Sequence, residues 1–166
     1  MKSLYPYDDI PYSFVPFERK KKRNPFKKNR KAILITSLKT SFFYRESINK
    51  LRSKVEASSQ KHGYTSFMIT SAHENEGKSS VGANLALALA KNGHKTILVD
   101  MDFRKPSLNK IFELKTNTSL NNAIEGKAHW KSQVVTLDHP GLDLLPCQQD
   151  LKNSEKLTGS NRLKAI

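Results

Sequence analysis

Ser66-Phe-Met-Ile-Thr70 runs directly into Ser71-Ala-His-Glu-Asn-Glu-Gly-Lys-Ser79, and an apolar stretch follows as far as Asn92. The first block reads as a strand, the second as a turn, and the third as a helix that begins at once. A loop set between a strand and a helix in this way binds polyphosphate. Its backbone N–H groups wrap the phosphates, and the positive end of the helix dipole faces their charge. Lys78 then reaches the terminal phosphates and the Ser79 hydroxyl ligates Mg²⁺. The stretch is a P-loop, with Asn75, Glu76, Gly77, Lys78, Ser79 and Ser80 as its nucleotide-binding residues. Ala72 stands where the usual pattern has its first glycine.

C-terminal to this loop, small and apolar residues from Val81 to Ala90 predict a helix able to approach a sheet buried on both faces. Asn92-Gly93 ends it. Thr96-Ile-Leu-Val99 predicts a second strand, so strand, loop, helix and strand form a βαβ unit with a parallel sheet and a right-handed crossover. Ligands bind beyond the carboxyl ends of such strands. Asp100 and Asp102 leave the second strand on alternate residues at that end. Two carboxylates beside a phosphate cradle suit metal holding and deprotonation of an attacking hydroxyl. In the structural alternative, Asp102 pairs with Arg104 or caps a helix at Pro106. Further along, Leu120–Ile124 predicts a short helix, and Val134–Leu137 and Leu142–Leu145 short strands. Trp130 reads as a packing residue.

N-terminal to the loop, Tyr44, Ile48, Leu51 and Val55 recur at helical steps, predicting a helix from Thr40 that stops at Ser58–Gly63. Residues 1–39 read as a flexible arm. It holds Tyr5, Tyr7 and Tyr12 among prolines, then Arg19-Lys-Lys-Lys-Arg23, Lys27-Lys28 and Arg30-Lys31. The chain's net charge of +14 belongs mostly to this region: residues 1–61 carry 16 Lys/Arg against 5 Asp/Glu. Such a run is a solvated charge cluster, a contact for anionic lipid or an acidic partner, or an electrostatic attractor of nucleic acid. Nothing in it reads bases, so no specific nucleic acid is expected. One cysteine, Cys147, rules out an intrachain disulfide, and the histidines show no metal spacing. No apolar run reaches membrane-spanning length, and no signal peptide opens the chain.

Ser71-Ala-x-x-x-Glu-Gly-Lys-Ser79 and Ile97-Leu-Val-Asp-x-Asp-x-Arg-Lys-Pro106, taken together, resemble the bacterial tyrosine kinases of capsular and exopolysaccharide biosynthesis. There the first block is the Walker A motif and the second the Walker A′ motif. The resemblance runs from about Thr40 to the end, including Gly141-Leu-Asp-Leu-Leu-Pro146 and a helix over Ser154–Ile166. It implies an α/β, P-loop NTPase-like, mainly parallel sheet flanked by helices, occupying residues 40–166. It further implies ATP and Mg²⁺ as cofactors, Lys78, Asp100 and Asp102 as catalytic residues, and Ser79, Asp100 and Asp102 as metal neighbours. Of the two, Asp100 is the expected base and metal neighbour, although the sequence alone does not divide those roles between Asp100 and Asp102. Implied partners are the cytoplasmic tail of a membrane activator and the tyrosines of neighbouring copies, with the protein peripheral at the cytoplasmic face of the cell membrane.

Several positions depart from that family. His73-Glu74-Asn75 replaces its Gly-Pro-Gly, although asparagine tolerates the left-handed conformation. The assembly motif Glu-x-x-Arg-x-x-Arg reads Glu46-x-x-Asn49-x-x-Arg52. The family continues into a hydrophobic strand ending in Asp (Walker B) and a tyrosine-rich tail, so 1–166 is expected to be an incomplete domain with impaired phosphoryl transfer. Two other classes compete: a ParA/MinD-like membrane-associated ATPase switch, and a non-catalytic nucleotide-binding adaptor. The first places a signature lysine where this chain has His73.

Overall fold

The computed structural model describes residues 34–150 and 159–163. The tyrosines at 5, 7 and 12 and the basic run 19–31 lie outside the described residues. So does most of the helix expected over Ser154–Ile166. Of that segment, residues 159–163 form turns, with Leu163 packed against a core.

Helix α1 (Phe42–His62) starts where the Ser41 side chain accepts the Tyr44 N–H, and it ends at Gly63 with φ 71°. The cap satisfies one of the helix's orphan donors, and glycine adopts the left-handed closing conformation without strain. The apolar stripe faces inward, with Ile48 buried and Tyr44 packed beside it. Helix α2 (Lys78–Lys91) is buried over most of its length, from Gly82 to Ala88. Its alanines let the backbone lie close to both α1 and the sheet.

Strand β1 (Thr96–Val99) pairs in parallel with β3 (Leu142–Leu145), and β3 pairs antiparallel with β2 (Val135–Thr136), giving the order β1-β3-β2. Alternation along β3 sends its side chains to two cores. Leu142 and Leu144 pack with α2, whereas Leu145 joins Phe103, Leu120, Ile124 and Cys147 on the other face. Short helices α3 (Leu108–Ile111) and α4 (Leu120–Ile124) and a 3₁₀ turn (Trp130–Gln133) complete the fold. Trp130 packs against the second core, as a packing residue should.

Ile35, inside the segment expected to be a flexible arm, is buried in the core beside α2, and an expected strand also differs. Residues 66–70 form no hydrogen-bonded ladder. They stay near the expected place, because Ile69 and Leu98 converge on Gly82 of α2. A methyl group there would lie 3.6 Å from Ile69 Cδ1 and 4.0 Å from Leu98 Cδ1. What is missing is a pairing partner. A strand is stabilised by its neighbour's backbone groups, and among the described residues β1, the nearer edge, pairs only with β3. Phe67, Met68 and Ile69 therefore stay exposed, as do Ile97, Val99 and Met101 along β1.

The α1 helix is tied to the α2–β1 connection by one carboxylate. Glu56 accepts from Arg52 Nη1 at 2.7 Å, Asn92 Nδ2 at 2.8 Å and His94 Nε2 at 2.9 Å. Burial opposes its charge, but these donors and the Arg52 guanidinium outweigh burial and hold it below the ordinary carboxylate range. Its stabilisation is therefore complete above the unfolded carboxylate pKa and is lost as pH falls. Glu56→Ala is expected to cost about 1–2 kcal/mol at neutral pH, read as a lowered urea midpoint. The difference from wild type should shrink on acidification. A midpoint unchanged at neutral pH would show that the cluster is only a surface contact.

Candidate nucleotide-binding site

Two loops meet at the C-terminal end of β1. The first, residues 71–77, precedes α2. Asn75 has φ 64° and Gly77 has φ 94°, so two left-handed residues turn the chain into the helix. Asparagine and glycine tolerate this region at little cost. Gly77 is the N-cap of α2 and no side chain caps it, leaving the first N–H groups of the helix for an anion. Within the loop, Ser71 Oγ donates to the His73 carbonyl at 2.9 Å, and the His73 N–H donates to Glu76 Oε2 at 3.2 Å. Glu76 thus holds the loop's shape, although its charge lies near the phosphate position.

The second loop runs from Asp100 to Ser107 and is anchored by Phe103, which is only 2% exposed in the second core. Its two aspartates have different surroundings. Asp100 is buried. Oδ1 accepts the Asp102 N–H at 3.0 Å, and Oδ2 accepts the Ser107 and Leu108 N–H groups, each at 3.3 Å. Burial outweighs these donors and raises its pKa above the usual aspartate value. Asp102 is partly exposed, with Oδ2 3.3 Å from Lys78 Nζ and Oδ1 accepting the Lys105 N–H at 2.9 Å. Burial pushes against its charge, but the Lys105 amide and the Lys78 ammonium prevail and lower its pKa. Both structural alternatives read from sequence are thus relocated. Asp102 pairs with Lys78, and the residue accepting the α3 entry amides is Asp100.

Lys78, Asp102 and the loop amides of 75–80 therefore share one surface, with Asp100 directly beneath. Ser79 is the second residue of α2. A second bridge joins the loops: Lys105 Nζ lies 2.5 Å from Glu74 Oε2. Sequence reasoning passed over this pair because the partners are distant in the chain and both are common surface types. Nor did it place Cys147 near this site, where the residue is buried beside Asp100. Burial first, and then the Asp100 carboxylate, push its thiol far above the usual range, so it stays protonated. Among the described residues no three His, Cys, Asp or Glu side chains converge as a metal site. Ser79, Asp102 and Asp100 are among the oxygen donors near the P-loop, a hard set of the kind that suits Mg²⁺. A cleft of about 260 Å³ between α1 and α2, lined by residues including Arg45, Arg52 and Lys91, lies outside this site.

Known proteins of similar sequence or fold include P-loop NTPases and tyrosine-protein kinases. A family model described as "ParA: NUBPL iron-transfer P-loop NTPase" matches residues 64–139. The tyrosine-protein kinase YwqD of Bacillus subtilis is 32% identical over 121 residues, covering 73% of this chain and 51% of that protein. The crystal structure of the chimerical protein CapA2B2 superposes with a TM-score of 0.62 at 29% identity, covering 72% of this chain and 53% of that one. The kinase domain of the Escherichia coli tyrosine kinase ETK has the same fold, with a TM-score of 0.68 at 22% identity over 73% of this chain and 48% of its own. The chain spans about half the length of the curated relatives it matches.

Proposed function

We propose that this chain, a homologue of bacterial tyrosine-protein kinases with the P-loop NTPase fold, is the ATP-binding part of a protein-tyrosine kinase that regulates capsular or exopolysaccharide synthesis. The observation that carries this reading is the meeting of the two loops: Lys78 at the start of α2 and Asp102 from the end of β1, 3.3 Å apart. A phosphate-binding lysine and a carboxylate adjacent to it are what phosphoryl transfer to a hydroxyl requires.

In this reading the loop amides and Lys78 bind the β- and γ-phosphates, and Ser79 and Asp102 would hold Mg²⁺, which would supply neutralisation of phosphate charge there. The tyrosine oxygen attacks the γ-phosphorus in line. The new O–P bond forms as the bridge to ADP breaks, and the phenolic proton passes to a carboxylate. Asp102, at the surface, is the better placed acceptor. Asp100, with both oxygens engaged by amides, is a positioning residue that sets the loop. Positioning and electrostatics supply most of the acceleration. The proposed partners are a membrane activator's cytoplasmic tail and neighbouring copies offering tyrosines, with the protein at the cytoplasmic face of the membrane.

Residues 66–70 back the P-loop without a ladder, so the phosphate cradle lacks a rigid sheet beneath it. The 166-residue chain alone is accordingly expected to bind ATP weakly and to phosphorylate tyrosine slowly. Titration with a fluorescent ATP analogue, with and without Mg²⁺, and anti-phosphotyrosine blotting test this. Mg²⁺-dependent binding with slow phosphotyrosine formation is the expected result. No nucleotide binding at any concentration would overturn the proposal. A second reading, the ATPase switch, is favoured by the match to the ParA description; phosphate release without phosphotyrosine would select it.

A further inference from the structure

The first turn of α1 and the turn before it present three apolar side chains to solvent: Leu38 is 100% exposed, Phe42 68% and Phe43 81%. Isolated exposed apolar residues are ordinary, but a cluster on one protrusion marks a contact surface. The two rings pack edge to face, their centroids 6.0 Å apart.

The protrusion is firmly based. Ile35 is buried, and its N–H donates to Asn84 Oδ1 at 2.6 Å. Thr40 is buried, and its hydroxyl donates to the Leu34 carbonyl at 2.5 Å. The Tyr44 hydroxyl accepts from Asn84 Nδ2 at 3.0 Å. Leu38 thus tops a turn pinned at both ends, and the phenylalanines begin a helix pinned one residue later. Side chains ordered before contact lose less conformational freedom on binding.

The exposed charges beside them in sequence are positive, with the half-buried Glu46 one helical turn on. Lys39 and Arg45 flank the cluster, and the first turn of α1 contains no acidic residue. In sequence, no Asp or Glu occurs between Glu18 and Glu46, whereas Arg19–Arg45 includes eleven Lys/Arg. Apolar and aromatic side chains set in positive charge match a membrane interface with anionic headgroups, where rings enter the acyl boundary and cations remain among the phosphates.

We infer that Leu38, Phe42 and Phe43 form a wedge that inserts into an anionic lipid surface, with Lys39, Arg45 and the preceding basic sequence supplying the electrostatic attraction. The inference rests on the membrane-face localisation proposed above and names the residues that make the contact. It also gives a mode of attachment that needs no spanning helix, and none of the described helices is long and apolar enough to span.

The test is co-sedimentation of the full 166-residue chain with vesicles of phosphatidylcholine alone or mixed with phosphatidylserine, at low and high salt. Wild type should bind the phosphatidylserine vesicles in a salt-sensitive way. The triple variant Leu38→Ser, Phe42→Ser, Phe43→Ser should bind about tenfold more weakly or worse, keeping only the salt-sensitive remainder. Tyr64→Ser, which removes an exposed ring elsewhere, should bind as wild type does. All replaced side chains are exposed, so unchanged thermal unfolding identifies a folded variant. A triple variant that binds like wild type overturns the wedge while leaving the membrane reading standing, with the basic sequence as its sole carrier. Wild type failing to bind anionic vesicles overturns both. Dimerisation in solution that the triple variant abolishes, without vesicle binding, assigns the surface to a second copy and also overturns the inference.

Discussion

Lys78→Ala is expected to weaken ATP binding by roughly ten- to a hundredfold while leaving the fold intact. A charge-assisted bond to phosphate contributes about 1.5–3 kcal/mol, and each 1.4 kcal/mol is about a factor of ten in affinity. Two effects act in the same direction. The ammonium that neutralises the terminal phosphates is removed, and Asp102, whose Oδ2 lies 3.3 Å from Lys78 Nζ, loses its neutralising partner and repels the incoming anion. Stability should barely change, because the pair is a surface one, with the two side chains 33% and 26% exposed, and such pairs contribute little to folding. Titration with a fluorescent nucleotide, alongside urea unfolding, measures both quantities. Lys78→Arg should recover part of the affinity through its charge but not all, since the planar guanidinium offers a different donor geometry. Affinity within twofold of wild type in Lys78→Ala would mean that nucleotide does not bind at this loop.

What could be read from the sequence divides along a physical line. Elements set by local pattern came out with nearly the expected bounds. The stripe Tyr44, Ile48, Leu51 and Val55 gives α1, and the apolar run after Lys78 gives α2. Thr96–Val99, Leu120–Ile124 and Leu142–Leu145 match their strands and helix. The left-handed Asn75 was legible because few residue types tolerate that conformation. Pairing was not legible. Ser66–Thr70 has the composition of a strand, but a ladder depends on which chain segment lies beside it, and no local periodicity encodes that. The short α3 was foreseen only as an alternative capped by Asp102, for a related reason: its entry is built by Asp100, seven and eight residues away from the amides it accepts. The two aspartates could be located from sequence but not told apart, because burial and hydrogen-bond partners distinguish them, and both arise only on folding.

That distinction yields the largest stability effect expected in the domain. Asp100→Ala should destabilise the fold by about 3 kcal/mol or more, since it leaves the amides of Asp102, Ser107 and Leu108 without their acceptor at a site with little access to water. For a domain whose total stability is on the order of 5–15 kcal/mol, that loss would put much of the chain near its unfolding threshold. Asp102→Ala should do the reverse, leaving the urea midpoint close to wild type and lowering Mg²⁺-dependent nucleotide affinity. The pH dependences should also oppose each other. Burial raises the Asp100 pKa, so its contribution is fullest below the unfolded aspartate value and declines as pH rises through the folded one. The lowered Asp102 contributes above the unfolded value and loses that contribution as pH falls. Asp100→Asn removes the buried charge and keeps one acceptor oxygen, so it should lie between wild type and alanine at neutral pH and lose the first of these dependences. Unfolding curves across the acid range, run on all three variants, separate the roles. If Asp100→Ala is as stable as wild type but cannot bind nucleotide, Asp100 contacts the ligand directly and its assignment as a positioning residue fails. If it is unstable and its remaining folded fraction still binds, the buried carboxylate shapes the loop and Asp102 is the one that meets the phosphate.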